Sequence, residues 1–341
     1  MNEINTLLEQ NSNILMIAPT GWGKTTLLLE LIEKSDKCWI YLAPLRALAN
    51  EFYLRTSSLG KVVNIKSAKE AKELSKVGLK LKLIIITPEL LNSKIIRIFE
   101  SNSIVVFDEI HLFSYWGETF RPRLRESFEE VLVSQMSTLS LSATMNESLI
   151  EKWKDDCQRN AENNYIINLK NHTLKNDPDR RYSVPSIFKK DVWEELKSRR
   201  VPFSKLIFCA YKNEVHMLEK ELMEEGYSVI SVIGGETSTF GLKLQACNQP
   251  DYIIGTTAIS HGVNLPRISI VYINYPVNNY DFWIQMIGRA GRRDEAFEVY
   301  TCDSSFLDHS EKIFSLVYLL FIKLKNMIYP YELRRYFNSQ N

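Results

Sequence analysis

Paired cysteines are missing from this chain. Its five cysteines, Cys38, Cys157, Cys209, Cys247 and Cys302, are odd in number, scattered, and include no C-x-x-C pair. That argues against a disulfide framework or a zinc site and favours a reducing compartment. Charge of either sign is not in excess. Lys and Arg total 42 against 41 Asp and Glu, a net of +1, so no global basic field advertises nucleic acid, and any such binding must use local clusters and backbone amides. No apolar run is long enough for a bilayer: the most apolar late segment, 313–328, is too short and carries Lys323 and Lys325. The first ten residues lack the basic start and apolar stretch of a signal peptide. Repeats and low-complexity tracts are absent, and no His is followed by Asp as a metal nuclease would need. The composition predicts a soluble, cytoplasmic protein.

What is present is apolar material for more than one core. The 341 residues are 45% hydrophobic, comfortable for two domains. Short apolar runs at 14–18, 38–43, 83–87, 104–107 and 138–142 alternate with helix-like stretches such as 25–34 and 46–55. The rhythm repeats at 205–209, 228–233, 252–256, 268–274 and 297–301. This is the signature of α/β domains with parallel sheets covered on both faces. The polar stretch 169–186, which holds Asn176-Asp177-Pro178-Asp179-Arg180-Arg181, reads as a linker between domains at 1–168 and 187–308, with a helical tail at 309–341.

The first apolar run leads into Ala18-Pro19-Thr20-Gly21-Trp22-Gly23-Lys24-Thr25, and a helical stretch opens at Lys24. A strand, a glycine-bearing turn and a helix start in that order form a phosphate cradle, with backbone amides and the helix N-terminus aimed at anionic oxygens. Lys24 would neutralise the β- and γ-phosphates and Thr25 would ligate Mg²⁺. The usual first glycine is replaced by Ala18. The apolar run 104–107 ends on Asp108-Glu109-Ile110-His111. Two adjacent carboxylates there are costly unless a metal or donor pairs them. Asp108 would hold Mg²⁺ through water, and Glu109 would orient or deprotonate the attacking water. Near the other end, Gln285-Met286-Ile287-Gly288-Arg289-Ala290-Gly291-Arg292 is expected to set two arginines one helical turn apart, against the γ-phosphate from a second domain.

Asp108-Glu109-Ile110-His111 resembles the DExH box of superfamily 2 helicases, and further motifs fall in that family's order. Ala43-Pro44-Leu45-Arg46-Ala47-Leu48 resembles motif Ia, Ile86-Thr87-Pro88-Glu89-Leu90-Leu91 motif Ib, Ser142-Ala143-Thr144 motif III and Ile207-Phe208-Cys209-Ala210 motif IV. Gly255-Thr256-Thr257-Ala258-Ile259-Ser260-His261-Gly262-Val263-Asn264-Leu265-Pro266 resembles motif V and 285–292 motif VI. The last two are most similar to the superkiller-type branch and its archaeal repair-helicase relatives. The resemblance implies two tandem RecA-like (P-loop) parallel-sheet domains with ATP and Mg²⁺ as cofactors. It implies an ATP site made of Ala18, Pro19, Thr20, Gly21, Trp22, Gly23, Lys24, Thr25 and Thr26 with Gly262 and Asn264, and catalysis by Lys24, Glu109, Gln285, Arg289 and Arg292. By the same resemblance, His111, Ser142 and Thr144 would couple hydrolysis to domain movement. Arg46, Thr87, Pro88, Glu89, Thr256 and Thr257 would contact the sugar-phosphate backbone of a single strand, a mode that reads no bases. Travel 3′-to-5′ is favoured.

Departures from the family sharpen the expectation. The upstream glutamine with which relatives read adenine has no clear counterpart, because Gln10 lies too close to the phosphate loop. Residues 267–284 hold one strand, a turn and a helix start, which leaves no room for a strand-separating hairpin. In the tail, apolar residues fall on one stripe at Ile313, Leu316, Val317, Leu320, Leu324, Met327 and Ile328, and again at Phe314, Leu319, Phe321 and Ile322. This helix either packs into the second domain's core or docks a protein partner. Asp308 and Glu311 look like its capping pair, and Arg334 and Arg335 read as a solvated basic end. Two functions stay open: a monomeric ATP-driven helicase or translocase on single-stranded or partly duplex DNA or RNA, and an ATP-gated nucleic-acid clamp or motor subunit with little unwinding of its own. A metabolic P-loop kinase would leave motifs V and VI without a role.

Overall fold

A computed structural model describes residues 2–56, 58–74, 81–159, 163–233, 243–244, 246–260 and 265–330. The chain divides into two compact units, Met1–Leu174 and Lys175–Asn341.

The first unit is built on seven parallel strands: β1 (Asn13–Ile17), β2 (Cys38–Leu42), β3 (Val62–Asn64), β4 (Leu83–Ile86), β5 (Ser103–Phe107), β6 (Ser137–Ser142) and β7 (Asn164–Asn168). Their order across the sheet is β3-β4-β2-β5-β6-β1-β7. The central strands are buried along their whole length, which is why they read as continuous apolar runs. Alternate side chains of each strand point to opposite faces. Leu15, Ile17, Ile40, Leu42 and Phe107 join one core with Phe113, Phe128 and Trp153. Ile14, Met16, Trp39, Tyr41 and Val106 join another with Leu28, Leu31 and Phe52. The helices are α1 (Asn2–Glu9), α2 (Lys24–Lys34), α3 (Arg46–Leu54), α4 (Ala68–Leu74), α5 (Ser93–Phe99), α6 (Ile110–Tyr115), α7 (Pro122–Val133) and α8 (Glu147–Gln158). Because every strand runs the same way, all carboxyl ends share one edge, where open α/β sheets bind ligands.

The second unit repeats the plan with six parallel strands: β8 (Arg180–Ser183), β9 (Ser204–Phe208), β10 (Val229–Val232), β11 (Tyr252–Gly255), β12 (Ile268–Ile273) and β13 (Glu298–Thr301), in the order β10-β11-β9-β12-β13-β8. Its described helices are α9 (Lys189–Ser198), α10 (Lys212–Glu224), α11 (Tyr280–Ile287) and α12 (His309–Ile328). The stretch 169–186 is not structureless. The boundary between units falls inside it, and β8 within it pairs with β13 from Arg180↔Glu298 to Ser183↔Thr301. A polar segment can be a strand here because an edge strand pairs on one side only and leaves Arg180 exposed and Arg181 partly so.

The tail helix packs on its less apolar side. α12 starts on the capping box of Asp308 and Glu311, but its buried stripe is Ser315, Leu319, Ile322 and Asn326. The stripe at 313, 316, 317, 320, 324, 327 and 328 faces outward. Polar groups decide the choice. The Ser183 N–H donates to Ser315 Oγ (3.0 Å), and Asn326 Nδ2 donates to Asp191 O (3.1 Å), bonds that the purely apolar stripe cannot make. Arg334 and Arg335 lie outside the described residues. No helix among the described residues is long and apolar enough to cross a membrane.

Candidate functional site

The loop from β1 to α2 carries the expected glycine geometry. Gly21 has φ 76° and Gly23 φ 107°, left-handed values that glycine adopts without cost. Gly23 is the residue that caps α2. Ala18, in place of the usual glycine, is buried, and its N–H donates to Ser142 O at 3.0 Å. Lys24 Nζ donates to Ala18 O (2.6 Å) and Pro19 O (3.1 Å), so the ammonium lies across the mouth of the loop. Thr25 and Thr26 follow in the first turn of α2, Thr20 is buried, and Trp22 is exposed.

Asp108 follows β5, two strands from β1 across the sheet. Its Oδ2 accepts a hydrogen bond from Tyr41 Oη, and its Oδ1 accepts from the Glu109 N–H at 3.1 Å. Burial, then the neighbouring Glu109 charge, pushes its carboxyl up to about 7, against the pull of Tyr41 and of Lys24. The Lys24 contribution places the phosphate loop and the acidic strand end within electrostatic reach of each other. Tyr41, stacked on Phe52 with ring centroids 3.9 Å apart, is itself held well above the usual phenol range by burial and by Asp108.

Glu109 turns the chain into α6 with φ 50°, a left-handed conformation rare for a residue with a side chain. Its Oε2 is buried without a hydrogen-bond partner and lies 3.6 Å from His111 Nδ1, too far to bond. His111 Nδ1 is 2.9 Å from Ser142 Oγ. The Ser142 hydroxyl donates to Thr144 O (2.7 Å) and accepts from the Thr144 N–H (3.2 Å). With its one proton so committed, Ser142 accepts from His111, which fixes the Nδ1–H tautomer. Lys24, Asp108, Glu109, His111, Ser142 and Thr144 thus share one edge of the first unit.

A buried polar atom without a hydrogen-bond partner can be completed by a water, an ion or a ligand. The Glu109 oxygen is one. A single carboxylate in Asp108, a hydroxyl in Thr25 and oxygens from a phosphate ligand suit Mg²⁺, which seldom takes an all-protein cage. The residues present therefore fit a nucleotide with Mg²⁺.

The proposed strand contacts are more dispersed. Arg46 is exposed as the first residue of α3. Thr87 and Pro88 are buried just after β4. The Glu89 carboxylate is held by Arg121: burial raises its pKa, but bonds from Arg121 and Thr87 outweigh that and leave it below the usual range. Arg121 also donates to Pro44 O at 2.6 Å. It ties the two loops together, a role no spacing in the sequence revealed. Tyr41 was likewise missed, hidden in an apolar strand.

In the second unit, α11 ends at Ile287, so Arg289 and Arg292 lie in the turns beyond it rather than on a helix. Gly288 closes the helix, and Gly291 at φ 68° bends the chain close against Phe297. Arg292 Nε donates back to Gly288 O (2.9 Å) and Asn176 Nδ2 to Gly291 O (2.6 Å). Gln285 and Arg289 are buried. The Thr256 N–H donates to Val232 O (3.3 Å), and Thr257 opens a short turn after β11. Gly262 and Asn264, with His261 and Val263, lie outside the described residues.

Two family profiles match in tandem: "DEAD/DEAH box helicase" over residues 2–152 and "Helicase conserved C-terminal domain" over 189–294. The chain belongs to the superfamily 2 helicases. Among similar proteins, "ATP-dependent helicase SGS1" of Saccharomyces cerevisiae is 24% identical over 86% of this chain and 21% of its own length. "ATP-dependent DNA helicase Q1" of Mus musculus is 22% identical over 83% of the chain and 47% of its length. "DEAD-box ATP-dependent RNA helicase 24" of Oryza sativa is 25% identical over 82% and 39%. The chain spans less than half the length of each. In structure, S. cerevisiae Dbp5 bound to RNA and ADP BeF3 aligns at TM-score 0.67 and 19% identity, covering 91% of this chain and 83% of that one. Mss116p bound to ssRNA and AMP-PNP aligns at 0.65 and 18%, covering 85% and 66%. At such identities these likenesses establish the fold: two RecA-like α/β domains.

Proposed function

We propose that this chain is an ATP-driven motor on single-stranded nucleic acid, a helicase or translocase whose hydrolysis depends on that strand. The observation that carries the proposal is the unpartnered Glu109 oxygen at the strand edge that also holds the phosphate loop and Asp108. In this reading Ala18 to Thr26 cradle the phosphates, and Lys24 leaves its carbonyl partners to neutralise them. Thr25 and Asp108 would hold Mg²⁺, which when bound offsets charge on the phosphate oxygens. Glu109 orients the attacking water and takes its proton. Gln285, Arg289 and Arg292, from the second unit, stabilise charge on the γ-phosphate, and Gly262 and Asn264 complete the nucleotide contacts. His111, Ser142 and Thr144 relay the state of the nucleotide to the strand contacts at Arg46, Thr87, Pro88, Glu89, Thr256 and Thr257.

The relatives' names include both a DNA helicase and an RNA helicase, so the reading commits to a strand and not to its sugar. The test is displacement of a short duplex carrying a single-stranded overhang, made in DNA and in RNA, with ATP and Mg²⁺. ATP-dependent displacement of either supports a helicase. Strand binding that follows the nucleotide without displacement or sustained turnover would instead identify a clamp.

A further inference from the structure

The outward face of α12 is a broad apolar surface that the described residues of the second unit leave in water. The helix is firmly seated: Ser315, Leu319, Ile322 and Asn326 are buried, and Lys325 Nζ donates to both oxygens of Glu195 at 2.9 Å. Its opposite side is therefore fixed in position. Along that side Ile313, Val317, Leu320, Leu324 and Met327 follow one another at steps of four, three, four and three residues, and each is 48–73% exposed. Such alternation is the seam of a helix that packs lengthwise on another helix. Phe314, Leu316, Phe321 and Ile328 flank it and are also exposed.

The exposed parts of these nine side chains amount to on the order of 1,000 Å² of apolar surface, against about 300–600 Å² for the largest patch on a typical monomer. One partner in a standard interface contributes about 800 Å². The face carries almost no charge. Lys323 at its border lies over the Phe188 ring, 5.6 Å from the centroid. There is nothing here for an acidic or basic partner to match, and an uncharged seam with a helical repeat is complementary to itself.

We propose that two copies of this chain pair through α12, antiparallel about a two-fold axis near Leu320. Such an interface is isologous: the Ile313 end of one helix meets the Met327 end of the other, and opposed helix dipoles add to it. This departs from the monomeric core expected from the sequence, and it does not rest on the proposed activity.

Sedimentation velocity of the whole chain, from about 1 to 50 μM, is the test. The expected result is a reversible dimer, and Leu320→Glu, which sets like charges facing across the axis, should weaken it by about a hundredfold or more while keeping the circular dichroism of the parent. Leu320→Cys should give a covalent dimer on mild oxidation where the unsubstituted chain does not. Should Leu320→Glu fail to fold, deuterium uptake of the unsubstituted chain across 313–328 decides, because it must rise on dilution. A monomer at all concentrations, a dimer indifferent to Leu320→Glu, uptake independent of dilution, or association only with a different polypeptide each overturns the proposal.

Discussion

Replacing Glu109 by glutamine separates a catalytic carboxylate from a structural one. The Glu109 Oε2 has no hydrogen-bond partner, so the amide breaks no bond of that oxygen and removes a charge from beside a second buried carboxylate. Folding stability should hold or improve. The sign follows from Asp108, whose pKa is raised from 3.8 to about 7 by burial and then by the Glu109 charge. A raised carboxyl makes ionisation in the folded state unfavourable, so stability is lost as pH rises from about 4 to 7. Removing the Glu109 charge lowers the Asp108 pKa and returns part of that loss, most visibly above pH 7. For the same reason the acid limb of Mg·ATP binding should move to lower pH. Turnover responds in the opposite sense. Loss of a general base typically costs a hundredfold or more, about 2.7 kcal/mol of barrier. The assay is steady-state ATPase with a saturating single strand, beside titration with a fluorescent nucleotide and thermal melting at pH 6 and 8. More than a tenth of parental turnover, or a large loss of stability, would refute this role for Glu109.

Arg289→Ala and Arg292→Ala should each leave nucleotide affinity within a few-fold and cut turnover by about a thousandfold, by analogy with arginine fingers; a parallel loss of affinity in the titration would show that they only support the fold. The logarithm of strand affinity, measured by fluorescence anisotropy, should fall linearly with the logarithm of salt concentration at a slope of about −0.7 per phosphate contact. Thr87→Ala should weaken all sequences alike, and a sequence preference would contradict backbone-only contact. Ser142→Ala removes the hydroxyl that bonds His111 Nδ1 and the Thr144 backbone, at about 1–3 kcal/mol for a buried group left unmet. It should destabilise the first unit in urea and depress strand displacement more than ATPase, whereas equal losses would remove any coupling role.

The parallel architecture was legible because central strands such as β2 and β5 must be apolar on both faces. Three of the four edge strands were not, β10 being the exception. β3 is three residues long, β7 is half exposed, and β8 is the polar Arg180–Ser183; their pairing rests on a neighbour, not on their own pattern. Of the residues proposed to hold nucleotide or relay its state, motif spacing singled out Lys24, Asp108, Glu109, His111 and Ser142, which lie together at one edge of the first unit. It could not reveal Tyr41 or Arg121, whose contacts span 67 and 77 residues of sequence. The turns carrying Arg289 and Arg292 were read as helix, but Gly288 ends the helix at Ile287, and Gly291, at φ 68°, turns the chain beyond it. On α12 both faces are apolar, so periodicity alone could not choose between them; Ser315 and Asn326 did, through partners far away in the chain.

The most direct test of the account is ATP hydrolysis by the whole chain with Mg²⁺, measured with and without a single-stranded oligonucleotide of DNA or RNA. The account predicts slow turnover alone and at least a tenfold rise, in the range of modest catalytic effects, when either strand saturates the protein. No turnover under either condition, or turnover that ignores both strands, would contradict it.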